Sequence, residues 1–342
     1  MKLSQWFGLF CLMIAGYLLW QIRQLLLLLF MAIVLTTALN RLVRSLERFK
    51  LKRQSGIFLT LLTASLLTVL FFGLIVPPFI EQFQNLIIQI PRAWAKVREF
   101  GLTLQAKELE WEWFPDFLAN RSPLESLQPL VPRVFQNFFS FFSNSVTAFL
   151  QILFVFAMTL MMLLNPQGYR RSALKLFPSF YRHRADEILT LSELALGNWL
   201  TGTLINCVFI GVLSGLGLWV LQIKLVLVHA LMAGILNFIP NIGPAASVVF
   251  PIMIALLDEP WKIWAVLVLY FIIQNIESYW LTPIVMAKQV SLLPAVTLIA
   301  QIFFASTFGL LGLLLALPLT VVVKTWVEEA IFKDILDRWQ MS

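Results

Sequence analysis

The stretch NFIPNIGP, Asn237–Pro244, decides how the rest of the chain is read. It sits in the middle of residues 225–257, whose only ionisable side chain is His229, and it brings two prolines, two asparagines and a glycine into an otherwise apolar run. Pro240 and Pro244 carry no backbone N–H, Gly243 admits backbone angles closed to other residues, and Asn237 and Asn241 bring amides to the break. A helix entering here is expected to stop near Ile239 and restart near Pro244. Each half is then about 15 residues, short of the roughly 20 that cross a hydrocarbon layer about 30 Å thick. Broken backbone at that depth survives only where protein or water satisfies it, so the break is expected to line a cavity. A proline kink packed against a neighbouring helix is the simpler reading. The crowding of five such residues into one short stretch favours a functional break.

The whole chain supports a membrane setting. Of 342 residues, 60% are hydrophobic and 13% charged, whereas a soluble surface needs about a quarter charged. Apolar runs cover 3–22, 24–40, 55–80, 138–164, 197–223, 225–257, 261–283 and 290–323. This predicts an all-α polytopic membrane protein of about eight membrane segments, since only helices satisfy a backbone in lipid one segment at a time. The first two runs are parted by Gln21–Gln24, with no Gly or Pro; a hairpin is preferred there over one long tilted helix. The first run follows Lys2 without a small-residue exit and reads as an uncleaved span. Cys11 and Cys207 lie far apart, with no second thiol or histidine at ligand spacing. Neither a disulfide nor a metal nor another cofactor is expected.

Orientation follows from Lys and Arg, which collect on the cytoplasmic side. Residues 41–53 hold six basic side chains against Glu47, and residues 170–184 hold five with no acid. Both loops are expected inside, which places 81–137 outside as an extramembrane subdomain. Its Trp111–Phe114 run suits a membrane interface better than a ligand grip. The expected domains are scaffold spans over 1–80, the external subdomain over 81–137, a span with a cytoplasmic basic loop and interfacial helix over 138–196, and a transport core with a cytoplasmic tail over 197–342. His183–Leu196 carries an apolar stripe that fits either the interfacial helix or an extension of the next span. The net charge of +7 is concentrated in two short loops, so no nucleic-acid partner is expected.

A second break lies at STFGLLG, Ser306–Gly312, inside the uncharged run 290–323, with Pro318 beyond. Gly243 and Gly309 are 66 residues apart, and the same shift carries 197–223 onto 263–289, overlapping the next apolar span. Each half of the core therefore reads as a helix followed by an interrupted segment, the sign of an internal repeat. If the segments are re-entrant hairpins, the first opens outside and the second inside, and the repeats are inverted. If they are broken spans the count changes. Charge and parity leave both open.

Polar chemistry in the core is sparse. Gln274, Asn275 and Glu277 stand in an apolar span, and Glu277 is the only acid between Lys262 and Lys324. A charge at depth costs about 2.5 kcal/mol or more, so it is paired, protonated or wet. The alternative for Glu277 is an interfacial anchor, since Pro283 follows closely. The expected substrate path comprises Asn237, Pro240, Asn241, Gly243, Pro244, Gln274, Asn275, Gly309 and Gly312, with Glu277 carrying the coupling ion. Thr201, Thr203, Asn206 and Ser214 suit interhelical hydrogen bonds, and Gly211 with Gly215 suits close helix packing. No metalloprotease, serine-hydrolase or phosphate-loop signature occurs, so no catalytic residue and no enzyme are expected. The core has no buried Arg or Lys for a fixed anion. The reading is a secondary active transporter of a small polar molecule or cation, driven by a proton or sodium gradient; the alternative is an uncoupled gated channel or a membrane scaffold protein.

Three stretches, NFIPNIGPAASVVFP (237–251), QNIESYWLTPIVMAKQVSLLPAV (274–296) and FGLLGLLLALPL (308–319), resemble the signature of the autoinducer-2 exporter family of bacterial permeases. The resemblance is strongest over 190–330. It implies a multi-pass permease of the bacterial plasma (inner) membrane, in contact with the lipid bilayer and assembled as a homo-oligomer. It also implies kinship with members linked to export of autoinducer-2 and with others linked to sodium/proton antiport. Ala287 departs from the family pattern, which often has Gly there.

Overall fold

A computed structural model describes residues 10, 13, 14, 16–105, 146–240, 242–259, 261–281, 283 and 292–337. Asn241, half of the first apolar run and residues 106–137 of the expected external subdomain lie outside the described residues. Among the described residues every regular element is helical, as expected for an all-α membrane protein. In chain order these are α1 (Arg23–Glu47), α2 (Arg53–Leu70), α3 (Val76–Gln105), α4 (Val146–Leu164), α5 (Pro166–Leu174), α6 (Arg182–Val220), α7 (Val226–Leu236), α8 (Ile242–Asp258), α9 (Trp261–Ile276) and α10 (Pro294–Trp326). Five described segments are long and apolar enough to cross a membrane, and a sixth follows if the pair α4 and α5, bent by 95°, counts as one. The bend has a local cause: Asn165 caps α5 by accepting from the Gly168 N–H at 3.0 Å, and Pro166 starts the new helix. Helices α7 and α8 are each too short to cross.

The expected hairpin at Gln21–Gln24 is not found. The N–H of Ile22 bonds to the Leu18 carbonyl at 3.0 Å and the N–H of Leu26 to the Ile22 carbonyl at 3.1 Å. Helical bonding therefore continues on both sides of a local distortion at Ile22 (φ −94°, ψ 8°). Without Gly or Pro nothing forces the chain to reverse. By contrast Pro77 and Pro78, which cannot donate to the preceding turn, follow a widened π-helical turn over Phe71–Ile75.

The chain forms two compact units, one of residues 1–61, 149–200 and 289–342, the other of 62–148 and 201–288. In the first, Val43, Ile57 and Leu163 make a small core. Two of the basic residues from which a cytoplasmic loop was expected also hold this unit together. Arg41 donates to Asn198 Oδ1 at 2.7 Å, and Arg53 donates to Asn40 Oδ1 and the Leu163 carbonyl at 3.2 and 3.1 Å. Helix α6 runs unbroken through His183–Leu196 into the next apolar run. Its 39 residues span about 58 Å at 1.5 Å each, nearly twice the hydrocarbon thickness. The polar start of α6 holds the C-terminal π-helical segment Val327–Leu336: Arg184 pairs with Glu329 at 2.8 Å and Asp334 at 3.1 Å, and the Tyr181 hydroxyl donates to Asp334 at 3.0 Å.

Also in the first unit, α10 is broken. Gly309 has φ 65° and ψ −147°, a conformation that only glycine adopts without strain. The chain then doubles back so far that a Cβ on Gly312 would strike the Phe304 carbonyl oxygen. In a straight helix those two residues would be about 12 Å apart along the axis.

In the second unit α7 and α8 form a hairpin. The last turn of α7 tightens, with the Phe238 and Ile239 N–H groups bonding three residues back, and Pro240 ends the donor series. The Gly243 N–H then bonds to the Ile239 carbonyl at 2.8 Å as α8 begins. The far ends meet again: Lys224 Nζ lies 3.7 Å from Asp258 Oδ1, and Val228 shares a buried cluster with Ile254 and Ala255. Helix α3 holds this open end, with Gln82 Oε1 accepting from the Val228 N–H at 3.3 Å and Lys96 Nζ donating to the Leu256 and Leu257 carbonyls at 3.1 and 3.0 Å. These side chains satisfy orphan groups at two helix ends. The first interrupted segment is thus a folded-back pair of helices, the hairpin alternative that the sequence left open.

Helix α7 packs on α6 through small residues on both sides. A Cβ on Gly211 would lie 3.3 Å from the Ala230 carbonyl oxygen, and one on Gly234 would lie 2.8 Å from that of Cys207. The Gly211/Gly215 pair therefore serves close packing, as its spacing suggests. Gly234→Val is expected to destabilise the protein by about 1–3 kcal/mol through overpacking against backbone. Thermal melting in detergent checks this, with a melting temperature clearly below that of the native protein as the expected result.

Candidate functional site

The hairpin tip places Asn237 at the end of α7, and α9 brings Glu277 to it from the neighbouring helix. Glu277 is only 9% exposed and Asn237 5%. The Asn237 amide Nδ2 donates to Glu277 Oε1 at 3.1 Å, and the Gln274 amide Nε2 donates to Oε2 at 2.9 Å. Gln274 and Glu277 meet because residues three apart share a helix face. Beyond Ile276 the helix widens into a π-helical turn, Glu277–Leu281, which re-aims the carboxylate; such turns recur at functional positions.

Each carboxylate oxygen thus accepts from a neutral amide. Among the described residues Glu277 makes no ion pair with Lys, Arg or His. Two amides hold the group in one orientation without cancelling its charge, and the oxygens keep unused lone pairs. A proton or a small cation is the natural complement of such a site. Among the described residues no group of three His, Cys, Asp or Glu side chains could hold a metal ion.

The structure treats the other expected residues unequally. Asn275 turns its amide to the Phe271 carbonyl of its own helix, at 2.7 Å, and stays outside the carboxylate group. Gly243 is buried, and a Cβ there would collide with the Leu236 carbonyl oxygen, so its role is to let α8 start tight against the end of α7. Pro240 and Pro244 are half-buried at the turn and at the start of α8. Gly309 and Gly312 belong to the other compact unit, where the first supplies an unusual dihedral and the second a close approach. Sequence reasoning did not see that Asn237 would pair with Glu277, because 40 residues separate them and no local spacing links them. It also missed the hold of Gln82 and Lys96 on the open end. Their only signal was a polar and a basic residue in the stretch expected to be external.

A profile of the AI-2E family transporters matches residues 9–332. Two presumed transport proteins of Bacillus subtilis (strain 168) are similar over most of their length. YrrI is 26% identical over 265 residues, 75% of this chain and 74% of YrrI. YueF is 23% identical over 292 residues, 84% of this chain and 79% of YueF. The AI-2 transport protein TqsA of Escherichia coli (strain K12) is 30% identical over 125 residues, 35% of this chain and 36% of TqsA. With the profile covering nearly every residue and several apolar helices long enough to span a bilayer, this chain belongs to the AI-2E transporter family and is a multi-pass protein of the bacterial inner membrane.

Proposed function

We propose that the chain is a secondary active transporter in which Glu277, held by Asn237 and Gln274 at the tip of a re-entrant hairpin, binds the coupling proton or sodium ion. The observation that carries this reading is the buried carboxylate with amide donors and no basic partner among the described residues. A charge left so at membrane depth marks an ion or substrate route by default. The second broken segment, at Gly309, gives the core a second interrupted helix, the kind of element with which many transporters line a site.

The sequence expectation of a core without a buried Lys or Arg fails at Lys262, which is buried in α9; its charge is taken up by Asp258 at the open end of the hairpin, so the cargo is read as a small polar molecule or a cation. AI-2, named for TqsA, is the first candidate. In this reading the chain catalyses no reaction, binds no nucleic acid and works as a homo-oligomer. Purified protein in proteoliposomes, given imposed proton or sodium gradients and a cargo panel that includes AI-2, tests it. Accumulation above equilibrium that a protonophore or sodium ionophore abolishes is expected. Flux that only equilibrates the cargo would replace the transporter with a gated channel.

A further inference from the structure

Three helices of the second unit repeat one pattern along facing stripes. On α6 it runs Asn206, Ile210, Ser214, Leu218; on α9 and its continuation it runs Glu277, Ile273, Tyr270, Val266; on α7 it runs Asn237, Ala233, His229. The spacings of three and four residues keep each set on one helix face. Ile210, Ala233 and Ile273 share one buried cluster, and Leu218 and Val266 share another. Polar and apolar layers therefore alternate across the helices. The first polar layer contains the Glu277 group. The second, about 10 Å further along the axes, contains Ser214, His229 and Tyr270, and Ser247 joins it from α8.

The second layer is buried yet poorly satisfied. His229 and Ser214 are fully buried. Neither ring nitrogen of His229 has a hydrogen-bond partner, and neither do Ser214 Oγ and Tyr270 Oη, all shielded from solvent. The Lys224 carbonyl and the hydroxyls of Ser214 and Ser247 lie close to His229 and Tyr270 respectively, but out of good bonding geometry. Buried polar groups left this way point to water or an ion that completes them. Imidazole is also the side chain whose ordinary titration falls between pH 5 and 8.

We infer that the Ser214–His229–Ser247–Tyr270 layer is a water-holding second proton station, with His229 exchanging a proton with Glu277 across the apolar layer of Ile210, Ala233 and Ile273. The inference rests on the coupling role proposed for Glu277. The step balances as a carboxylic acid and a neutral imidazole becoming a carboxylate and an imidazolium, with water as the carrier. The apolar layer acts as the barrier and conducts only when it is wetted. The described titratable groups on the parts of the second unit packed against α7 are Cys207 on residues 201–220 of α6, Tyr270, Lys262, Glu277 and Tyr279 on α9 and its continuation, Asp258 on α8, and Glu81, Arg92 and Lys96 on α3. Lys224 precedes α7. Of these only Tyr270 falls in the layer of His229. Lys224, Lys262 and Asp258 pair with one another at the open end of the hairpin.

The chain has two histidines, so nitrogen NMR of histidine-labelled protein in lipid gives two resolvable imidazoles. His183, with a side chain 92% exposed, serves as the internal reference, and a His183→Gln variant assigns the signals. His229 is expected to take up a proton as the pH is lowered. Glu277→Gln is expected to lower its midpoint by about one pH unit, because a nearby negative charge is lost. Tyr270→Phe, which removes one hydroxyl and little volume, is expected to move it as well. A His229 that stays neutral throughout, or a titration that Glu277→Gln leaves in place, overturns the inference. Wild-type gradient-driven uptake in Glu277→Gln would instead remove the coupling role of Glu277, whatever the NMR result.

Discussion

Glu277→Gln is expected to reduce gradient-driven accumulation in proteoliposomes to the level of empty vesicles while cargo exchange across the same membrane stays within about threefold of wild type. The substitution keeps volume and planarity. The new side chain has one acceptor and one donor where the carboxylate had two acceptors, so one of the Asn237 and Gln274 amides must rotate to restore its bond. An amide that can turn in place does so at little cost, and folding should change by about 1 kcal/mol or less. What is lost is the ability to bind and release a proton or to carry a charge to a cation. Exchange needs only the cargo site and the conformational change, and it should survive. If exchange and accumulation fall together in a protein that melts normally, Glu277 holds cargo and does not couple. Gln274→Ala and Asn237→Ala complete the comparison: each is expected to weaken the apparent affinity for the coupling ion by about tenfold while cargo exchange survives, because one donor that orients the carboxylate is gone.

Gly243→Leu should abolish both accumulation and exchange, while the protein still reaches the membrane at near-normal levels. A side chain at this buried position would run into the carbonyl of Leu236, which is fixed backbone at the end of α7. The start of α8 must then swing away, and the tip that carries Asn237 to Glu277 opens. Insertion is governed by the hydrophobicity of the spans and should be spared. Gly309→Ala makes a separate case. Nothing crowds that position, but its backbone angles would cost a residue with a Cβ about 1–3 kcal/mol. Full exchange activity in well-expressed Gly243→Leu would show that the tight turn is dispensable.

Much of the membrane architecture was legible because it rests on strong, local signals. Long apolar runs leave a backbone in lipid no choice but helix, and the cluster of Pro, Gly and Asn at Asn237–Pro244 marks its break within a few residues. Gly309 was legible for a different reason, as the first of two glycines in an uncharged run, 66 residues after Gly243. What could not be read was how a broken segment is arranged in space. Lys224 and Asp258 are brought together by the fold, and a chain crossing the membrane in two pieces would have the same sequence signature. The doublet Gln274 and Asn275 shows the limit of proximity along the chain. A rotation of about 100° per residue sends one amide to the carboxylate and the other to its own backbone. The preferred hairpin at Gln21–Gln24 failed because polar residues alone do not reverse a helix.

The proposal that the pair α7 and α8 is re-entrant is the one on which the rest depends, and the sidedness of its two ends tests it most directly. Single cysteines at positions 224 and 258, in a background in which Cys11 and Cys207 are replaced, can be probed with a membrane-impermeant maleimide in oriented vesicles. A third at position 48 marks the cytoplasmic face, and a fourth at position 110 marks the outside. Positions 224 and 258 are expected to react from the same face as 110 and opposite to 48. Reaction of 224 and 258 from opposite faces would make α7 and α8 one broken transmembrane span and contradict the account.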